Sequence, residues 1–275
     1  MNLSILTALR SAQSHKLSRA STYVNMHSEK DITQLRGVNR PQFSVKHVQA
    51  GWGGMFGSFT HSKNGQINVY SLKIMNKQEN KQHGSGGMKE VENERAILAS
   101  FQKQSTFLPC LLATFQTSSA AYMVLKTPIV TDLCYMIDSS ARKGGMDEPV
   151  AKFYVGCLLL ALEYMENEGY MIRMVSPQAI MISSTGYAML SDLRYAKKMT
   201  GNRQYTMCGD QSYMAPEMIT GGGYDFAVDA WALGVLTCEM ITGKNPFGDG
   251  NDREEEVSGL QSELESVTSN TSQYQ

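Results

Sequence analysis

G-W-G-G-M-F-G-S-F at 51–59, V-Y-S-L-K at 69–73 and N-E-R-A-I-L at 93–98 decide how this chain folds. Gly57 to Ser62 and Gln66 to Ile74 are β-type runs joined through Lys63-Asn64-Gly65, which predicts an antiparallel hairpin. Phe43 to Gln49 supplies a strand before the glycines, so the glycine-rich segment reads as a turn between two strands. A polar, glycine-rich loop over 76–87 follows. Met88 to Phe101 then predicts a helix whose apolar face carries Val91, Ile97, Leu98 and Phe101. A glycine turn, a strand bearing Lys73 and a helix bearing Glu94 in mid-run therefore come in that order.

Beyond this core the character of the chain changes. Tyr122 to Leu125 reads as a buried strand, Thr131 to Ser139 as a short helix and Pro149 to Glu168 as a long one. Strand pieces follow at 179–183 and 187–191, and Val228 to Met240 is an apolar helix. The fold class is α+β, with a small β-rich first lobe and a mainly helical second lobe. The 275 residues carry 25 Lys and Arg against 26 Asp and Glu, which excludes a broadly basic nucleic-acid binder. No apolar run approaches the roughly 18 residues of a membrane span, so no transmembrane segment is expected. The cysteines at 110, 134, 157, 208 and 238 form no CxxC pair, and the histidines at 15, 27, 47, 61 and 83 form no HExxH. A disulfide framework, a zinc knuckle and a histidine triad are thereby disfavoured. Residues 1–40 read as a polar, disordered leader and residues 251–275 as an acidic tail, with a short amphipathic helix over Glu254 to Val267. A cytoplasmic location is expected, organelle targeting by the acid-free residues 1–24 being the alternative.

With S-D-L-R-Y-A-K-K (191–198), Y-T-M-C-G (205–209), Y-M-A-P-E (213–217) and V-D-A-W-A-L-G-V-L-T-C-E-M-I-T-G-K-N-P-F (228–247), this order resembles the protein kinase fold over residues 41–250. It is similar in particular to the cyclic-nucleotide-dependent, AGC-type serine/threonine kinases. It also resembles the kinase-like module of plant and algal proteins that join a metal-dependent phosphatase and cyclic-nucleotide domains. The resemblance implies a bilobal domain, with an N-lobe over 41–125 and a C-lobe over 126–250 that lacks the family's later helices.

On the nucleotide side, the resemblance implies a site for ATP. Gly54 and Gly57 match glycines whose backbone approaches the phosphates, while Trp52 stands where the family has the first glycine. Lys73 matches the phosphate-contacting lysine and Glu94 the helix acid that pairs with it. Phe59, Ser71 and Met181 would line the adenine slot, Leu125 is the gatekeeper, and Asp132 matches the ribose-contacting acid. Ser71 departs from the usual alanine.

On the catalytic side the pattern breaks. The family's loop resembles H/Y-R-D-x-K-P-x-x-N, whereas this chain reads I-R-M-V-S-P-Q-A over 172–179. Met174 replaces the aspartate that orients the substrate hydroxyl, Ser176 the lysine, and Ala179 the metal-binding asparagine. Methionine is at best a weak acceptor, and alanine offers no side-chain oxygen to Mg²⁺. General acid–base help is worth about 10²–10⁴-fold, so no intact catalytic set is expected. Asp192, in D-L-R where the family has D-F-G, remains the candidate Mg²⁺ ligand, with Arg194 in place of the glycine as a cation for Asp192 or a phosphate. Leu193, Leu98, Leu111 and Ile172 match an apolar spine anchored by Asp229. Thr206 matches the regulatory phosphothreonine, Arg173 the arginine that grips its phosphate, and Lys197 a further contact.

The expected function is a pseudokinase that binds ATP and serves as a scaffold or allosteric regulator through a protein partner in cyclic-nucleotide or phosphatase signalling. The alternatives are a serine/threonine kinase with weak or atypical transfer, and a non-functional truncated fragment.

Overall fold

The computed structural model describes residues 24–25, 48–51, 54–63, 66–77, 87–101, 105–116, 118 and 120–248, with side chains at Phe56 and from Val69 onward within those ranges. The expectations at Phe43 to His47, the Asn64-Gly65 turn, Trp52, the acidic tail and its helix lie outside the described residues.

The first lobe is a six-stranded sheet. Strands β1 (Val24–Asn25), β2 (Val48–Gly51), β3 (Gly54–Lys63), β4 (Gln66–Asn76), β5 (Leu111–Gln116) and β6 (Ala120–Leu125) lie in the order β1-β5-β6-β4-β3-β2. The β3–β4 hairpin pairs Lys63 with Gln66 and runs back to Met55 opposite Ile74. Helix α1 (Gly87–Ser100) buries Val91, Ile97 and Leu98, as its apolar spacing predicts.

Two features of this lobe differ from expectation. Val24–Asn25, inside the stretch read as an unstructured leader, pairs in parallel with β5 at Ala113 and Thr114. An edge strand presents unpaired N–H and C=O groups that a short extended segment can meet. Strand β5 itself lacks the apolar–polar alternation by which strands are recognised, since only Leu111 is fully covered.

The second lobe is mainly helical. It contains β7 (Ile129–Asp132), α2 (Leu133–Ala141), α3 (Glu148–Asn167), β8 (Tyr170–Met171), β9 (Ile180–Ser183), β10 (Ala188–Leu190), β11 (Lys197–Lys198), α4 (Pro216–Thr220) and α5 (Ala227–Thr242). The helix expected from Thr131 begins two residues later, because Asp132 caps it: its Oδ1 accepts from the Tyr135 N–H at 2.7 Å. Residues 129–132 are instead strand, with Asp132 opposite Met181. The turn between α2 and α3 sits directly on the end of α5. Gly145, at φ 119°, lies so close that a Cβ there would fall 1.9 Å from the Ile241 carbonyl oxygen.

One apolar core runs through both lobes, from Phe56, Leu98, Leu111 and Leu125 to Leu158, Ile172, Leu193 and Leu236. All four expected spine residues belong to it. The bilobal, β-rich then helical architecture is as the sequence predicts. Among the described residues no helix is long and apolar enough to cross a membrane.

Candidate functional site

Lys73 projects from β4, opposite Phe56 on β3 and Met123 on β6. Its ammonium is 1% exposed and lies 2.6 Å from Glu94 Oε1, 3.3 Å from the Ser191 carbonyl oxygen and 5.7 Å from the Phe56 ring centre. The pairing expected from sequence is thus formed, and it is fully buried. Burial pushes the Glu94 carboxyl up to about 7, with Lys73 opposing and the Asp192 charge adding to the rise. Glu94 Oε2 has no hydrogen-bond partner among the described residues.

Asp192 and Arg194 complete a buried set of four charges. Arg194 Nε donates to Asp192 Oδ1 at 3.0 Å and Oδ2 at 3.2 Å, Nη2 donates to Oδ2 at 2.9 Å, and the Arg194 backbone N–H donates to Oδ1 at 3.1 Å. Burial alone would raise Asp192, yet Lys73 and Arg194 outweigh it and hold the carboxyl below the usual range. Burial likewise opposes the Arg194 charge, and Asp192 more than compensates, so the guanidinium is held protonated. Asn93 fixes the segment, its Nδ2 donating to the carbonyls of Arg194 at 3.0 Å and Ala196 at 2.8 Å. Sequence reasoning passed over Asn93, although it directly precedes Glu94 and so faces a neighbouring part of the same surface.

The loop over 172–179 is held from below. Ile172 and Arg173 donate their N–H groups to the two carboxylate oxygens of Asp229, at 2.8 and 2.7 Å. Arg173 has φ 61°, the one non-glycine with positive φ among the described residues. Its Nε donates to the Tyr195 carbonyl at 2.9 Å and its Nη1 to the Tyr224 hydroxyl at 3.0 Å. Met174, Ser176 and Ala179 are all buried, and Ser176 Oγ has no partner among the described residues. The Ala179 carbonyl is taken by the N–H and hydroxyl of Ser191. None of the three supplies a charged oxygen.

The residues expected to line an adenine slot lie as two register pairs, one in each of two sheets. Ser71 and Leu125 are register partners across β4 and β6, and both are buried. Asp132 and Met181 are partners across β7 and β9. The departure at Ser71 has a structural use: its hydroxyl accepts the Ile129 N–H at 2.8 Å, tying β4 to the start of β7. Removing it in Ser71→Ala leaves that buried donor unpaired and is expected to cost about 1–3 kcal/mol. Urea unfolding of the two proteins checks this. For Gly54, Gly57 and Phe59 the structure gives the strand positions alone, with Gly57 opposite Leu72 and Phe59 opposite Tyr70.

Thr206 is exposed beside a groove of about 1380 Å³ lined in part by Lys89, Arg173, Lys197, Lys198 and Asp210. The Tyr224 hydroxyl donates to the Thr206 carbonyl and accepts from Arg173, so Arg173 reaches the threonine through one side chain. Sequence reasoning also passed over Tyr224.

A divalent cation at Asp192 does not fit this donor set. Both carboxylate oxygens are occupied by Arg194, and Ala179 has no side-chain oxygen to offer. Mg²⁺ requires near-octahedral oxygen coordination. Mg²⁺ at Asp192, expected from the motif, would have to share that carboxylate with Arg194. Among the described residues no group of three or more His, Cys, Asp or Glu could hold a metal.

Comparison with known proteins agrees with this geometry. A family model described as "Protein kinase domain" matches residues 46–274. The chain is 31% identical over 245 residues to cGMP-dependent protein kinase 2 of Rattus norvegicus, covering 87% of this chain and 31% of that protein. The Homo sapiens protein of the same name gives the same figures. The cGMP-dependent protein kinase of Plasmodium berghei is 37% identical over 167 residues, covering 61% of this chain and 19% of that protein. The chain therefore spans less than a third of the length of these relatives.

Proposed function

We propose that this chain, which belongs to the protein kinase superfamily and is related to its cGMP-dependent, AGC-type serine/threonine members, holds ATP and regulates a partner without transferring phosphate. One observation carries the reading. The 2.6 Å Lys73–Glu94 pair is closed, while the adjoining loop has Met174 and Ala179 where a proton acceptor and a metal ligand would stand. The nucleotide side is assembled and the transfer side is not. Ser71, Leu125, Asp132 and Met181 supply the adenine and ribose end, and Gly54, Gly57 and Phe59 the strand over it. Asp132 keeps a carboxylate oxygen beyond the one that caps α2.

The lobes share one core, and Asn93 ties α1 to the Asp192 segment. Such a domain works as a fixed shape offered to a partner, and nucleotide biases that shape by its own binding energy. The relatives are named for dependence on cGMP. For this chain we place the partner in cyclic-nucleotide or phosphatase signalling, in the cytoplasm, with Thr206 as the residue whose phosphate would face Arg173 and Lys197. Weak phosphotransfer is the lesser reading, because Arg194 already occupies the carboxylate that transfer would need.

The test has two parts. ATP added to the purified chain is expected to raise its melting temperature, while labelled ATP leaves no phosphate on the chain or on basic peptides. Label that appears, and disappears in Asp192→Asn, would make the chain a phosphotransferase. A folded chain that no nucleotide stabilises would have no ATP site.

A further inference from the structure

We propose that Arg194 is a built-in replacement for the divalent cation: it closes Asp192 to metal and lets the domain hold nucleotide phosphates in the absence of Mg²⁺. The second clause rests on the nucleotide reading above, and the first does not.

Charge counting gives the first argument. With glycine at 194, the buried set would be Lys73, Glu94 and Asp192, a net charge of −1 that invites a cation. With Arg194, and with Glu94 ionised, the four side chains sum to zero inside a site where all four are at most 6% exposed. A divalent ion added to that set would leave an excess of +2 in a region of low polarity, where unpaired charge is costly.

Geometry gives the second. Metal entry at Asp192 would break three side-chain contacts and one backbone hydrogen bond from Arg194. The displaced guanidinium cannot shed its proton. Its backbone stays clamped by Asn93, and its side chain lies 5.7 Å from the Tyr195 ring centre. Arg194 sits outside the left-handed region, so no backbone strain favours its release.

The third argument concerns phosphate. A guanidinium has five donors in a planar fork, suited to carboxylate and phosphate oxygens alike. Nε and Nη2 are spent on Asp192, whereas Nη1 makes no hydrogen bond among the described residues. It and the Lys73 ammonium are the two cationic groups that would meet a phosphate chain, Arg194 from the wall of the groove beside Thr206 and Lys73 from beside Ser191.

The experiment measures ATP affinity by calorimetry in EDTA and in Mg²⁺, and Mn²⁺ binding by electron paramagnetic resonance without nucleotide. The wild type is expected to bind ATP within about twofold in the two buffers and to leave the free Mn²⁺ signal undiminished. Arg194→Gly is expected to bind Mn²⁺ and to lose tenfold or more of its ATP affinity in EDTA. Mn²⁺ binding by the wild type that vanishes in Asp192→Asn would overturn the closure of Asp192, and this holds even if Arg194→Gly fails to fold. Wild-type ATP affinity that drops tenfold in EDTA would overturn metal-independent binding. Failure to bind ATP in either buffer removes the nucleotide reading and the second clause with it, and the Mn²⁺ result then decides the first clause alone.

Discussion

Replacing Lys73 by methionine is expected to destabilise the domain by about 3–5 kcal/mol at pH 7.5, the usual cost of stripping the partner from a buried charge. Methionine fills most of the same volume, so packing beneath the Phe56 ring survives and the loss is electrostatic. Glu94 would then have neither oxygen paired, since Oε2 is already without a partner. Asp192 would also lose one of the two cations that hold its carboxyl down. The variant carries its own pH signature. Lys73 is what restrains the rise of the Glu94 carboxyl, so its removal lifts that group further above its ordinary value of 4.5. A carboxyl raised in the folded state contributes stability that is present in acid and lost as pH rises through the folded value. The penalty of Lys73→Met should therefore be smaller at pH 5.5 than at pH 7.5. Urea unfolding at the two pH values checks both statements. A cost under about 1 kcal/mol at pH 7.5 would mean that water reaches Glu94 and the pair is not closed in solution.

What the sequence revealed, and what it hid, follows from the range of the forces involved. Helices α1, α3 and α5 were legible to within two residues because each declares itself locally, α1 and α3 by apolar residues at helical spacing and α5 by an apolar run too long for a strand. The Lys73–Glu94 contact was legible only through the order of motifs, since 21 residues separate the two and nothing local brings them together. Strand β5 was hidden because its partners on both sides, β1 and β6, decide its burial and leave its pattern irregular. The start of α2 was misplaced by two residues because Asp132 reads both as a strand end and as a cap, and in the fold it is both. Arg194 could be named from sequence as a cation for Asp192 or for a phosphate. Only the fold shows that the carboxylate holds it on both oxygens. Ser71 was read as a mild departure in the adenine slot, and its hydroxyl turns out to tie the lobes through Ile129, 58 positions away.

Asp229→Ala is the other substitution with a large expected effect, about 2–6 kcal/mol, because it orphans two backbone donors at once and each buried unpaired N–H costs about 1–3 kcal/mol. The donors belong to Ile172 and Arg173, 57 and 56 residues away, so the carboxylate is what ties α5 to the loop over 172–179. Arg173 adds to the loss. Its φ of 61° is sparsely populated for a side chain of its size and persists only where surroundings over-determine it. Once the Asp229 acceptor is gone, the loop can relax, and Gly209 moves with it, since a Cβ there would lie only 2.4 Å from the Arg173 carbonyl oxygen. The pH dependence separates burial from hydrogen bonding. Burial raises the Asp229 carboxyl to about 6 despite the two N–H donors that lower it, so burial dominates. A raised carboxyl contributes stability that is full below its ordinary value of 3.8 and is lost as pH climbs through about 6. Against the neutral Asp229→Asn variant, the wild type should therefore hold its widest margin near pH 4 and a narrower one at pH 7. A margin that widens over the same interval would mean that the two N–H groups stabilise the charge by more than burial opposes it, and that Asp229 is ionised throughout.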